Sequence, residues 1–165
     1  MEEKKFEDIF DEYNYTERLE NSLQNYLNWL LGISIGLGAV TFSAMDNLND
    51  NYLYSILTFI FILFGILFNG IVKFLIHRRE IKMNIAFGEL KKIKILREAN
   101  KEIRKTGNNL EDVKKWEKSF SKYTLENNKI IYIAKLINLS SIITFFNVIN
   151  TGVFITYLFI ISCLY

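Results

Sequence analysis

Three stretches of this 165-residue sequence carry no charged side chain: residues 27–45, 51–72 and 136–165, which are nineteen, twenty-two and thirty positions long. A hydrocarbon layer about 30 Å thick is crossed by roughly 20 apolar residues of α-helix, so each run reaches or approaches a full span. A surface helix of a soluble protein keeps a polar face toward water and is rarely charge-free for so long. Half of the residues are hydrophobic, which would suit a globular core equally well; the clustering is what discriminates. The expected fold is an all-α integral membrane protein with three transmembrane helices and a long cytoplasmic antiparallel helical hairpin between spans two and three. The sequence contains no proline, so the usual cause of kinks and helix ends is missing and long uninterrupted helices are favoured.

Residues 1–25 read as a cytoplasmic amphipathic helix. Phe6, Ile9, Phe10 and Tyr13 fall on one helical face. After a polar turn, Leu19 and Leu23 lead toward the membrane, with Tyr26 and Trp29 at its interface. This segment is acidic, whereas a secretory signal would begin with a basic stretch, so the first span is expected to be retained. A transmembrane hairpin follows over 26–77, with spans 26–45 and 53–76. Its connecting link has no Lys or Arg, while Arg78, Arg79, Lys82, Lys91, Lys92, Lys94 and Arg97 cluster after the second span. The positive-inside bias therefore puts residues 78–129 and the amino terminus in the cytoplasm and the carboxyl terminus outside.

Within 78–129, Met83, Phe87, Leu90, Ile93, Leu96 and Ile103 recur at helical spacing, and Leu110, Val113, Trp116, Phe120 and Tyr123 form a second stripe. Between them lies a turn at 106–109, where Gly107 suits a helix C-cap and Asn109 an N-cap. Residues 130–165 are expected to be the third transmembrane helix. A re-entrant hairpin is the alternative there, because Asn147, Asn150 and Gly152 sit near the centre of the run. One tilted span is preferred, since irregular backbone exposed to lipid leaves polar groups unpaired.

Enzymatic signatures are lacking. There is no Gly-rich phosphate loop, His77 is the single histidine and Cys163 the single cysteine. No catalytic, cofactor or metal residues are assigned, and the expectation is a protein that is not an enzyme. None of the spans contains Asp or Glu, which argues against a proton-coupled transporter. What the spans do contain is a set of small and polar positions. In the second, Gly65, Asn69, Lys73 and His77 follow one another at intervals of four. Lys73 and His77 read as groups snorkelling to the cytoplasmic interface, leaving Asn69 as the deep residue. In the third, Ser140, Thr144, Asn147 and Thr151 form a stripe. Asn69 and this stripe either line an aqueous path in an oligomer or hydrogen-bond between packed helices. In the first, Gly32, Gly36, Ala39 and Ser43 make a small-residue ridge. With Gly65, the glycines mark close helix packing, either of spans one and two or of neighbouring copies.

The 78–129 segment has fifteen Lys or Arg against eight acids, and the first 25 residues have three against eight. Basic residues near a membrane attract anionic lipid. A sharper reading makes Arg78, Arg79, Lys91, Lys92, Arg97, Lys114 and Lys115 a surface for a cytoplasmic protein or a nucleotide signal. Nucleic acid is not expected, because Trp116, Phe120 and Tyr123 lie on the apolar stripe rather than among the bases. In a third reading the acidic amino-terminal helix docks on the basic segment.

This layout resembles the SLATT effectors of bacteria: an amino-terminal helix, a tight two-span hairpin and a basic helical segment. FGELKKIKILREANKEI, a turn and WEKSFSKYTLENN are similar to that family's helices after the membrane. The resemblance covers residues 1–129, and the third span is an addition to the two-span pattern. Small membrane accessories of CRISPR systems are a looser match. The resemblance implies a homo-oligomeric effector of antiphage defence in the bacterial inner membrane, pore-forming or membrane-disrupting. A non-conducting scaffold or accessory subunit that binds a cytoplasmic protein is the competing expectation.

Overall fold

A computed structural model describes residues 2–45, 52–103 and 110–164. They form three α-helices: α1 (Glu2–Met45), α2 (Tyr52–Ile103) and α3 (Leu110–Leu164). All three are long and apolar enough to cross a membrane. The amphipathic helix read over residues 1–25 runs on without interruption into the first apolar run as a single helix, through the polar stretch after Tyr13. Nothing there forbids helix: the stretch has neither proline nor glycine, and the Thr16 hydroxyl folds back on the Glu12 carbonyl at 2.8 Å, a local bond that a helix accommodates. Helix α3 also continues unbroken through Asn147, Asn150 and Gly152, so the single-helix alternative is the one adopted. The turn expected at 106–109 lies outside the described residues.

The chain divides into two compact units, one formed by Met1–Asn21 with Leu75–Ile133 and the other by Ser22–Phe74 with Ala134–Tyr165. In the second unit the buried positions are Leu27, Leu30, Ser34, Gly38 and Thr41 on α1, and Ser55, Thr58, Ile62, Gly65, Asn69 and Val72 on α2. On α3 they are Ile137, Ser140, Thr144, Asn147, Thr151 and Phe154. On α2 and α3 the spacing alternates strictly between three and four, the heptad pattern in which each helix offers one narrow seam to its partners. Here α1 and α3 run in one direction and α2 in the other: Asn69 meets both Ser34 and Thr144, the later Lys73 meets the earlier Asn28, and Asn147 and Asn150 meet the earlier residues Phe61 and Tyr54.

The chemistry of this seam is inverted. Its centre is rich in hydroxyls, amides and glycine, while Phe42, Ile60, Phe64, Leu67, Ile71, Phe145, Phe146 and Phe159 are exposed. Such an exterior would be costly in water, at about 25 cal/mol for each Å² of apolar surface.

The first unit has the ordinary polarity. Ile9, Met83, Ala86, Phe87, Leu90 and Tyr123 make its hydrophobic core, with Tyr13 and Trp116 packed against it. The Tyr13 and Phe87 rings stack with centroids 3.9 Å apart, and the Tyr13 hydroxyl donates to Asn84 Oδ1 at 2.7 Å. Of the two apolar stripes read from sequence, Met83, Phe87, Leu90, Trp116 and Tyr123 take part in this core, whereas Phe120 is exposed.

In the inverted unit, close approach depends on one missing side chain. A Cβ built on Gly65 would stand 2.5 Å from Asn147 Nδ2 and 3.5 Å from Ile143 Cγ2. The amide is anchored there by donating to the Phe61 carbonyl at 3.2 Å. Gly65→Ala should therefore displace the carboxamide and destabilise the fold by about 1–3 kcal/mol. The penalty should shrink in an Asn147→Ala background, as read from unfolding midpoints of the purified protein in detergent.

Candidate functional site: a polar seam and a buried ion pair

Asn69 lies at the centre of the inverted unit and is fully buried. Its Nδ2 donates to Thr144 Oγ1 at 3.2 Å and to Ser34 Oγ at 3.4 Å, and its Oδ1 accepts from the Ser140 hydroxyl. One carboxamide on α2 thus joins α1 and α3. A primary amide has two donor protons and one carbonyl acceptor, and all three functions find partners. Each such interhelical bond contributes about 0.6–2 kcal/mol in an apolar surrounding.

The expected polar residues Asn69, Ser140, Thr144, Asn147 and Thr151 are all buried in one interior, and the first four have hydrogen-bond partners in the same chain. The sequence reading missed Ser34, Thr41, Ser55 and Thr58, which are equally buried. The overlooked signal was spacing. The line Gly65–Asn69–Lys73–His77 advances by four at every step and slides off a seam that advances by three and a half. Lys73 and His77 are exposed, and Val72 and Ile76 hold the next buried positions. The Lys73 amine donates to Asn28 Oδ1 at 2.7 Å, and His77 lies beside Glu80 at 3.5 Å.

The glycines separate in the same way. Gly65 is buried and makes the close contact with Asn147, whereas Gly32 and Gly36 are exposed and a Cβ on either would meet nothing within 4 Å. The ridge they form with Ala39 and Ser43 is therefore not a contact of span one with span two within the chain.

In the other unit, Arg79 differs from its expected role as a surface cation. Its side chain is only 2% exposed and pairs with Glu20, itself 3% exposed. The guanidinium also donates from Nε to the Glu126 carbonyl at 2.6 Å and from Nη2 to the Asn127 carbonyl at 3.4 Å. Arg79 occupies a seam position, three beyond Ile76 and four before Met83, and the heptad carries it inward. Nearby, Asn127 donates to Glu12 Oε1 at 2.6 Å and accepts from Thr16 at 3.2 Å. The acidic amino-terminal helix is thus docked against the segment 75–133 by polar bonds, the third of the readings drawn from charge. Arg78, Lys91, Lys92, Lys114 and Lys115 are exposed. The side chain of Arg97 lies outside the described set. Among the described residues no cluster of His, Cys, Asp or Glu could hold a metal ion.

Burial pushes the Glu20 carboxyl above the usual carboxylate range, with Arg79 acting in the opposite direction. One of its oxygens, Oε2, is buried without a hydrogen-bond partner. Burial likewise raises the Tyr123 phenol above its ordinary value, and the charge of Glu12 adds to this.

Arg79→Met should cost about 3–5 kcal/mol by stranding a buried carboxylate, and Glu20→Leu combined with Arg79→Met should recover most of that loss. Titration gives a second check. With its folded pKa raised, Glu20 contributes stability that is fully present below the unfolded carboxylate pKa and lost as pH rises through the folded value. Wild type should lose stability relative to Glu20→Gln as pH rises above the ordinary carboxylate range, measured by thermal unfolding; a constant gap would place the carboxyl at its ordinary value.

Comparison of the chain with protein-family models, with curated proteins and with solved structures gives no match.

Proposed function

We propose that this chain is an integral membrane protein that spans the bacterial inner membrane three times. In this reading it assembles with copies of itself and acts as an effector of antiphage defence through its charged unit. The observation that carries the membrane reading is the inverted unit, with Phe64, Leu67, Phe145 and Phe146 outside and Asn69, Asn147 and Thr144 inside. Lipid is the solvent that tolerates such an exterior, and amides buried in an apolar surrounding need the internal partners that they find here. The run of bases after the second span supports a cytoplasmic position for residues 78–129 and the amino terminus. The defence role rests on the resemblance to SLATT effectors and on the hairpin-plus-basic-helix layout.

Self-assembly is supported by the outer face of α1. Trp29, Gly32, Gly36, Ala39 and Ser43 are exposed there, and the glycines have open space before them. Small residues facing lipid gain little by themselves but let a second helix approach closely. The corresponding surface of α2 is mostly bulky Ile, Phe and Leu, with one open glycine at Gly70.

A second reading, the non-conducting scaffold or accessory subunit, is favoured by a specific observation. Of the side chains that would line an aqueous path, Asn69, Ser140 and Thr144 bond to one another and Asn147 bonds to the Phe61 carbonyl within the chain, so a path along them would have to break those bonds. Under either reading the exposed bases Arg78, Lys91, Lys92, Lys114 and Lys115 are the surface offered to a cytoplasmic protein or a nucleotide signal.

The two readings separate by measurement. A pore-forming effector reconstituted in liposomes should release a small dye, and Gly36→Ile should abolish both release and the oligomer seen in detergent while leaving helix content unchanged. A strictly monomeric wild type would refute assembly. Asn69→Leu should lower the unfolding midpoint without altering the conductance of any channel formed; altered ion selectivity in that variant would instead place Asn69 on a conduction path.

A further inference from the structure

Seven residues beyond Ser34 and Thr144, in the same chain direction, lie Thr41 on α1 and Thr151 on α3. The antiparallel helix α2 brings Thr58 to the same level. A Cβ built on Gly38 would meet Ile62 Cγ2 at 3.5 Å across α1 and α2, so Thr41 stands near the turn that contains Thr58. Asn147 bonds to the Phe61 carbonyl and Asn150 accepts from the Tyr54 hydroxyl, so Thr151 falls beside the same turn. Each of the three is at most 1% exposed.

Their hydroxyls differ from several others among the described residues. Ser34, Thr124, Ser141 and Thr156 each donate to the carbonyl four residues earlier, at 2.9–3.0 Å, the usual way in which a helix satisfies a hydroxyl. Thr41, Thr58 and Thr151 make neither that bond nor any other, although their oxygens are fully enclosed. Three unpaired hydroxyls at one level, one from each helix, would each be costly in a dry interior.

We propose that Thr41, Thr58 and Thr151 form an internal water site in the three-helix seam, about two to three turns from the Asn69 cluster. The ligand class follows from the donor set. A buried water makes about three hydrogen bonds, and three hydroxyls, each able to donate or accept, supply that number from three directions. A cation is disfavoured, because none of the buried residues of this unit is charged and an uncompensated ion in an apolar surrounding is expensive. The site belongs to the single chain and is independent of whether copies assemble or conduct.

The test uses the full chain in detergent micelles with its threonine methyl groups isotopically labelled. Magnetization transfer from water should reach the methyls of Thr41, Thr58 and Thr151, and Thr58→Val should abolish it at the other two. Thr58→Val should also lower the unfolding midpoint by about 2–4 °C, and Thr58→Ser, which keeps the hydroxyl, should restore it. Absence of transfer to all three methyls, or a midpoint unchanged or raised by Thr58→Val, would overturn the proposal by showing a dry layer. A midpoint that changes on exchanging lithium, sodium and potassium at constant ionic strength, and no longer does so in Thr58→Val, would replace water by a cation and overturn it equally.

Discussion

A side-chain amide enclosed among helices must have its hydrogen bonds made by its neighbours, and Asn69 has all of them made. Because its donors reach α1 and α3 while its acceptor takes a proton from α3, one residue fixes the mutual height of three helices. The rest of the inverted unit is organised around that level. Leu27, Leu30, Val72 and Ile137 close the seam on one side. The Gly65–Asn147 contact and the threonine layer follow on the other. In an apolar exterior, burial of hydrocarbon gives helices little reason to associate, and specific polar bonds and close packing take over that role.

The two units use one spacing with opposite chemistry. Around Tyr123 and Phe87 the seam is largely aromatic and aliphatic, and the outside carries Lys, Arg and Glu among exposed apolar residues such as Ile85 and Leu125. Around Asn69 the seam is polar and the outside is Leu, Ile and Phe. The periodicity of a helix therefore says which residues face inward, while the composition of that face says which solvent lies outward. Arg79 is an informative case, a charge carried onto a seam where Glu20 and Glu126 are buried as well. It is accommodated by Glu20 and two backbone carbonyls of α3. Such a pair adds little net stability against hydrophobic residues of similar size, but each partner is costly to remove alone.

Much of this was legible from the residues. The three apolar runs mark the three long helices, and the stripe Ser140–Thr144–Asn147–Thr151 already alternates between steps of four and three. Asn69 stands out as the single amide deep in its run. What could not be read was which of several weak small-residue patterns is the inner one. Ser34, Thr41, Ser55 and Thr58 are single hydroxyls scattered in apolar sequence, and only the three-dimensional arrangement shows that they share a level with other polar groups. Glycine was ambiguous for a related reason: Gly65, Gly32 and Gly36 all sit in GxxxG-like or polar company, yet one is enclosed and two are open. Arg79 was misplaced because Arg78 and Arg79 look alike as a pair, whereas a rotation of about 100° per residue separates outside from inside.

The contact between Gly65 and Asn147 also bears on alignment errors between the helices. Heptad seams tolerate slippage by seven residues, since each repeat offers a similar set of knobs and holes. A slip of that size would bring the Asn147 carboxamide against Thr58 or Val72 instead of Gly65, and both are too bulky to let it approach the backbone of α2. Absence of a single methyl group thereby acts as an address. It tells α3 where along α2 to stop, and it would bar a duplicated or deleted heptad in either helix alone from settling into the same fold.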